Sequence, residues 1–262
     1  MKFVSYWESA PGRTMPAYVA LCLAWSKHVL GSDFLLLTAH NTPTLLGADN
    51  LSKNWRFRPL PFAGDAPVLR IVAKSDLIRM AYVLRYGGIW LDADSIVFPS
   101  LARCLPDELK DGRLHWYSEA FFGAAPGHPL LRQAVDACLA GGDQEWANPG
   151  GVRDLLLAQP TLVQRIPYGD VDPGHRPAYR FETCELMLHP SLPVRSFLTN
   201  PALKLVKLYN TYFSRLPLGR LTIAEFLRSD LLLARLFLHL CPEPDFWLAC
   251  GQKIMDEVEA EF

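Results

Sequence analysis

Asp92 and Asp94 stand on either side of one alanine in YGGIWLDADSIVFP, residues 86–99, directly after the apolar run Ile89-Trp90-Leu91. Carboxylates taken out of water at the end of a greasy strand are costly unless a cation meets them. Residues i and i+2 of an extended strand face the same side, so this spacing predicts two hard oxygen donors presented together. Two such anions repel, and a divalent cation relieves the repulsion. Mg2+ and Mn2+ prefer one or two carboxylates plus substrate phosphates to a complete protein cage. The expected ligand is therefore a metal diphosphate, with Mn2+ (or Mg2+) as cofactor.

Upstream, KSDLIRMAYVLRY, residues 74–86, supplies Asp76 and Arg79. The first can accept from sugar hydroxyls, and the second is a fork of N–H donors suited to a hydroxyl or a phosphate oxygen. The set suits a nucleotide sugar. Each piece has a plainer reading: a solvated strand end for the aspartate pair, favourable charge at a helix N-terminus for Asp76, and its ion-pair partner for Arg79. Their succession as capped helix, Gly-Gly, apolar strand and Asp-x-Asp is harder to ascribe to independent accidents.

The elements must bring these groups together. Ser75 is a good N-cap, Leu77, Ala81 and Leu84 recur at helical spacing, and Gly87 is placed for the left-handed conformation that ends a helix. A helix joined to the next strand by a two-glycine turn runs antiparallel to it. Thirteen helical residues rise about 18 Å, and about five or six strand residues cover a similar length. Asp76 and Arg79, in the first turn, are thus expected near Asp92 and Asp94, at the carboxyl edge of a sheet where open α/β folds bind ligands. Around this unit, KFVSYW reads as a strand, MPAYVALCLAWSKHVLG as a helix and SDFLLLT as a second strand, the opening of a doubly wound α/β fold. A turn-rich stretch with one short strand near WRFRPL follows. Beyond the Asp-x-Asp come one or two strands in RLHWYSEAFFGA and helices in HPLLRQAVDACLA and GVRDLLLA. A loop through LHPSLPVRSF and a mostly helical tail from about residue 200 complete the chain.

The string AKSDLIRMAYVLRYGGIWLDADSIVFPSL resembles the signature of GT-A sugar transferases that carry a DXD motif. These include the yeast outer-chain mannosyltransferase-like enzymes, bacterial capsular polysaccharide synthesis proteins and the glucosyltransferase domains of large clostridial toxins. VSYWESAPGRTMPAYVALCLAWSK and FFGAAPGHPLL are similar to the family's opening segment and to its later His-Pro-Leu helix start, so the likeness runs over about residues 3–140. It implies a GT-A-like single α/β domain over residues 1–262, with a Rossmann-like nucleotide-binding half. About 1–140 would be the donor-binding core and about 141–262 the acceptor side and helical tail. It implies that Asp76 and Arg79 contact the donor sugar, that Asp92 contacts the ribose or sugar and helps hold the metal, and that Asp94 ligates the metal directly. Trp90 would lie beside the sugar or diphosphate, and Trp7 would stack on the nucleobase or serve the core. Glu119 is a candidate to orient the acceptor or stabilise the oxocarbenium-like state, against a solvated strand end. His189 is a candidate third metal ligand, against a structural loop role. The implied reaction moves a sugar, with retention of configuration, from a UDP- or GDP-sugar to a hydroxyl.

The whole chain narrows the partners. Its 262 residues carry a formal charge of −1, so no global field recruits nucleic acid. Six scattered cysteines without a CxxC pair read as reduced thiols. No export signal or membrane span is visible, and the expected setting is the cytoplasm, with peripheral contact at the inner face of a membrane allowed. A glycan or lipid-linked acceptor ranks above a protein acceptor of the toxin kind. A haloacid dehalogenase-like phosphatase is disfavoured because Ile96 stands where its motif expects Thr or Val. A calcium loop fails for lack of a central glycine and terminal glutamate. A non-catalytic sugar-binding protein is disfavoured by the intact Asp76, Arg79, Asp92 and Asp94.

Overall fold

A computed structural model describes residues 1–10, 12–39, 41–42, 66–141, 152–173 and 182–259. The short strand expected near WRFRPL lies outside them. The strands are β1 (Phe3–Tyr6), β2 (Phe34–Leu37), β3 (Gly88–Leu91), β4 (Ser95–Val97), β5 (Leu114–Ser118), β6 (Phe121–Ala124), β7 (Val163–Arg165) and β8 (Leu205–Lys207). The described helices of five residues or more are α1 (Ala17–Leu30), α2 (Ala66–Tyr86), α3 (Pro99–Glu108), α4 (Pro129–Gly141), α5 (Val152–Ala158), α6 (Glu182–Met187), α7 (Ile223–Leu227), α8 (Leu232–Leu240) and α9 (Pro244–Glu259). The chain divides into two compact units, one of Met1–Arg13, Asp33–Asp92 and Leu105–Ile166, the other of Thr14–Ser32, Ala93–Cys104 and Pro167–Phe262.

The first unit holds a six-stranded mixed sheet in the order β2-β1-β3-β6-β5-β7, the α/β architecture that the strand, helix, strand order predicts. β1 runs parallel to both β2 and β3, β6 runs antiparallel to β3 and β5, and β7 parallel to β5. Every residue of β1, β3 and β6 is buried, which is why these strands read as continuous apolar runs rather than as alternation. Leu77, Met80, Val83 and Leu84 of α2 and Leu130, Leu131 and Ala134 of α4 share one core with Val4, Trp90 and Phe122 of the sheet.

Helix α2 begins at Ala66, so Ser75 is an interior residue and not the expected N-cap. Pro67 sits in the first turn, where the N–H it lacks would have had no helical partner. The placement of Asp76 and Arg79 survives this correction because distance is counted from the other end. They precede Gly87 by a climb of about 12–16 Å, which matches the path from Gly88 to Asp92 along β3. Both glycines are required at that end. Gly87 has φ 67° and Gly88 φ 118°, and a Cβ on Gly88 would lie 2.6 Å from the Lys2 carbonyl oxygen, which already accepts the Ile89 N–H.

The continuous strand expected through GIWLDADSIVF is broken. β3 ends at Leu91, Asp92-Ala93-Asp94 form a turn, and β4 pairs antiparallel with β8 in a separate two-stranded sheet of the second unit. The two aspartates are therefore not same-face neighbours on a strand. Each backbone has its own tie: the Asp92 N–H donates to the Ala120 carbonyl at 2.9 Å, and the Asp94 carbonyl accepts from the Leu208 N–H at 3.0 Å.

The second unit is otherwise helical, as expected of the tail. Helix α1 is buried on every face from Ala17 to Ser26, the mark of a helix enclosed by protein. Trp25 donates its indole N–H to the Val97 carbonyl at 2.9 Å, and its ring lies 5.5 Å from that of Trp247 on α9. Thr222 opens α7 with a capping box completed by Glu225. Among the described residues no helix is long and apolar enough to cross a membrane.

Candidate functional site

In the first unit β1 has β2 on one side and β3 on the other, with all three parallel, so strand order reverses beside β1. The crevice beyond the carboxyl ends at such a reversal is where open α/β sheets take ligands. Trp7 follows β1 and Asp92 follows β3 at this edge, and α2 brings Asp76 and Arg79 to it.

Arg79 organises the cluster. Its buried guanidinium contacts Asp76 Oδ1 at 2.9 Å through Nη2, and the Glu119 carbonyl at 2.7 Å and Asp92 Oδ1 at 3.5 Å through Nη1. Nε and Nη2 reach the Ser75 carbonyl and hydroxyl at 3.4 Å, and the guanidinium lies 5.6 Å from the centre of the Trp90 ring. One cation thus faces the carboxylates of Asp76 and Asp92 and the turn that carries Glu119. Burial pushes the Asp76 carboxyl up to about 6, Arg79 opposes that rise, and the negative charges of Glu119 and Asp92 reinforce it. Close to neutrality Asp76 is ionised only at a cost, and an arriving set of hydroxyl donors offsets that cost.

Trp90, expected beside the sugar, is fully buried in the core. Its indole N–H donates to Asp92 Oδ1 at 2.9 Å, so it touches the site through that carboxylate instead. Trp7 is partly exposed and its indole N–H donates to the Ser9 hydroxyl at 3.0 Å. Next to it, Glu8 accepts from the Tyr6 hydroxyl and from Lys74 Nζ at 2.6 Å, which ties the end of β1 to α2.

Asp94 lies in the second unit and is held there on both oxygens. Oδ1 is paired with the Lys207 ammonium and Oδ2 accepts the Asn210 N–H at 2.5 Å. Asn210 in turn accepts the Tyr18 hydroxyl. Asp94, Lys207 and Tyr18 are all buried, and burial raises both the Tyr18 hydroxyl and the Cys22 thiol, with the Asp94 charge adding to each. Lys207, Asn210 and Tyr18 were not legible as site residues. Lys207 is 113 residues from Asp94, on a three-residue strand whose pattern carries no sign of its partner.

Glycosyltransferases with this motif typically use a divalent metal, but the donor set here does not fit one as built. An ammonium and an N–H take the two oxygens of Asp94. His189, the expected third ligand, uses Nδ1 to accept the N–H groups of Ser191 and Leu192 at 3.1 Å in an exposed loop. Of the residues expected to hold Mn2+ or Mg2+, Asp92 faces Arg79, Asp94 faces Lys207 and His189 holds its own loop.

Comparison with known families matches residues 33–112 to the glycosyltransferase sugar-binding region containing DXD motif. That stretch, under a third of the chain, includes Asp76, Arg79, Asp92 and Asp94, and is similar to the sugar-binding region of DXD-motif glycosyltransferases. Neither the curated proteins nor the solved structures contain a match to this chain.

Proposed function

We propose that the chain transfers a sugar from a UDP- or GDP-sugar to a hydroxyl of a glycan or lipid-linked acceptor, with retention of configuration. The observation that carries this reading is the meeting of Asp76, Arg79 and Asp92 at the carboxyl edge of the sheet, within the family match. Arg79 and Asp76 hold the donor sugar. Asp92, oriented by the Trp90 indole, accepts from ribose or sugar hydroxyls. Trp7, at the end of β1, offers an aromatic face to the base.

In the chemical step the acceptor hydroxyl oxygen bonds to the anomeric carbon as the bond from that carbon to the diphosphate oxygen breaks. The electron pair leaves with the nucleoside diphosphate, which takes up the acceptor's proton. Attack on the face the leaving group vacates retains configuration and needs no protein nucleophile. The protein's contribution is positioning and fixed charge, with Glu119 orienting the acceptor or stabilising the positive charge that develops on the sugar ring. A step through Mn2+ would first require Asp94 to give up Lys207, and none is assigned.

The test is a panel of UDP- and GDP-sugars incubated with wild type and with Arg79→Lys, in excess EDTA and in Mn2+, with release of UDP or GDP measured. The expected outcome is turnover of one donor by wild type and its loss in Arg79→Lys, whose single ammonium cannot span Asp76, Asp92 and the Glu119 carbonyl together. If no donor is bound or turned over in either condition, the transferase reading fails.

A further inference from the structure

We propose that Lys207 is the resident counter-ion of the motif's second aspartate: it holds the position on Asp94 that a divalent cation would need, so nucleotide-sugar binding and transfer proceed without a metal. Naming the ligand as a nucleotide sugar rests on the function proposed above; the occupancy of Asp94 does not.

The pair is fixed by backbone on both sides. Ser95 lies opposite Lys207 in the antiparallel ladder of β4 and β8, and the Leu208 N–H donates to the Asp94 carbonyl. The register of two strands therefore puts the lysine against the aspartate. The next residue, Tyr209, is the one described non-glycine residue with positive φ, at 51°. That strained turn aims the Asn210 N–H at Asp94 Oδ2, and the Lys207 ammonium lies 5.2 Å from the Tyr209 ring. A backbone held in a costly conformation to complete the shell of one carboxylate indicates that the shell is a built feature.

The electrostatics run the same way. Asp94 and Lys207 are each about nine-tenths buried or more. A metal binding through Asp94 would displace the ammonium from its carboxylate into a buried setting, and would add a dication beside it. Both charges oppose entry. In exchange Lys207 supplies one positive charge where a metal would supply two.

The experiment titrates Mn2+ into the protein, alone and with UDP or GDP, and follows the electron paramagnetic resonance of the free ion, for wild type, Asp94→Asn, Lys207→Ala and Lys207→Met. Wild type is expected to leave the free-ion signal where buffer alone, or UDP or GDP alone, sets it. The Lys207 variants are expected to bind Mn2+ at least about tenfold more tightly, in the range over which a ligand's immediate partners alter metal affinity. Release of UDP or GDP by wild type is expected to agree within about twofold between EDTA and Mn2+, where a required Lewis acid would cost about a hundredfold or more. Wild-type binding of Mn2+ that disappears in Asp94→Asn overturns the proposal, whether or not the Lys207 variants fold. Since the resonance signal needs no turnover, a chain that turns over no donor but leaves Mn2+ free would remove the transferase reading and retain Lys207 as the counter-ion.

Discussion

Replacing Asp76 by Asn is expected to stabilise the protein above neutrality while abolishing transfer. The folded-state carboxyl, at about 6, stands above its ordinary value of 3.8. An acid whose pKa is raised on folding keeps its proton in the native state after the unfolded chain has lost it. Stability therefore falls as pH rises from about 4 to about 6, and the loss is complete above that. A rise of about two pKa units corresponds to about 3 kcal/mol. Asparagine keeps the shape and cannot ionise, and Arg79 retains the Asp92 carboxylate and the Glu119 carbonyl as partners. The stability difference between Asp76→Asn and wild type should widen by about 2–3 kcal/mol in favour of the variant between about pH 4 and pH 8. Urea denaturation of both proteins across that range measures it, with a sugar-nucleotide release assay alongside. If the variant is less stable than wild type by more than about 1 kcal/mol at pH 8, Asp76 is a structural partner of Arg79 and the reasoning is refuted. A stability difference independent of pH would refute the displaced titration.

Two further outcomes test the frame around the site. Gly88→Ala places a Cβ 2.6 Å from the Lys2 carbonyl oxygen at φ 118°, and should cost about 2 kcal/mol or more in a denaturant midpoint; a loss under about 0.5 kcal/mol would mean that β1 and β3 can separate there. Thiol labelling of the native protein near pH 8 should modify Cys241 and Cys250, which are partly exposed, and spare Cys22 and Cys184. Burial pushes the Cys184 thiol up to about 12, leaving almost no thiolate to react; modification of Cys184 at the rate of Cys250, read by peptide mass, would contradict the packing around Asp94 and Lys207.

The sequence by itself determined what local chemistry controls. Apolar runs and glycines set α2, β3 and the turn between them, and the length match of helix and strand was enough to bring Asp76 and Arg79 to Asp92. It did so even though the helix starts at Ala66, because a distance counted back from Gly87 does not depend on where the helix begins. The spacing of Asp92 and Asp94 was legible too, but its geometry was not. Alternation along one strand predicts two carboxylates on one face; a turn at Asp92-Ala93-Asp94 hands the first to Arg79 and the second to Lys207. Only the tertiary structure decided that, since the ladder partner of β4 is β8, more than a hundred residues further on. Likewise Trp90, in the family's aromatic position, was legible as part of the motif and not as a core residue, because burial depends on the sheet and helix that close over it. The carboxylates and Arg79 could be read from the sequence; Lys207, the cation that meets Asp94, comes from the pairing of two strands far apart in the chain.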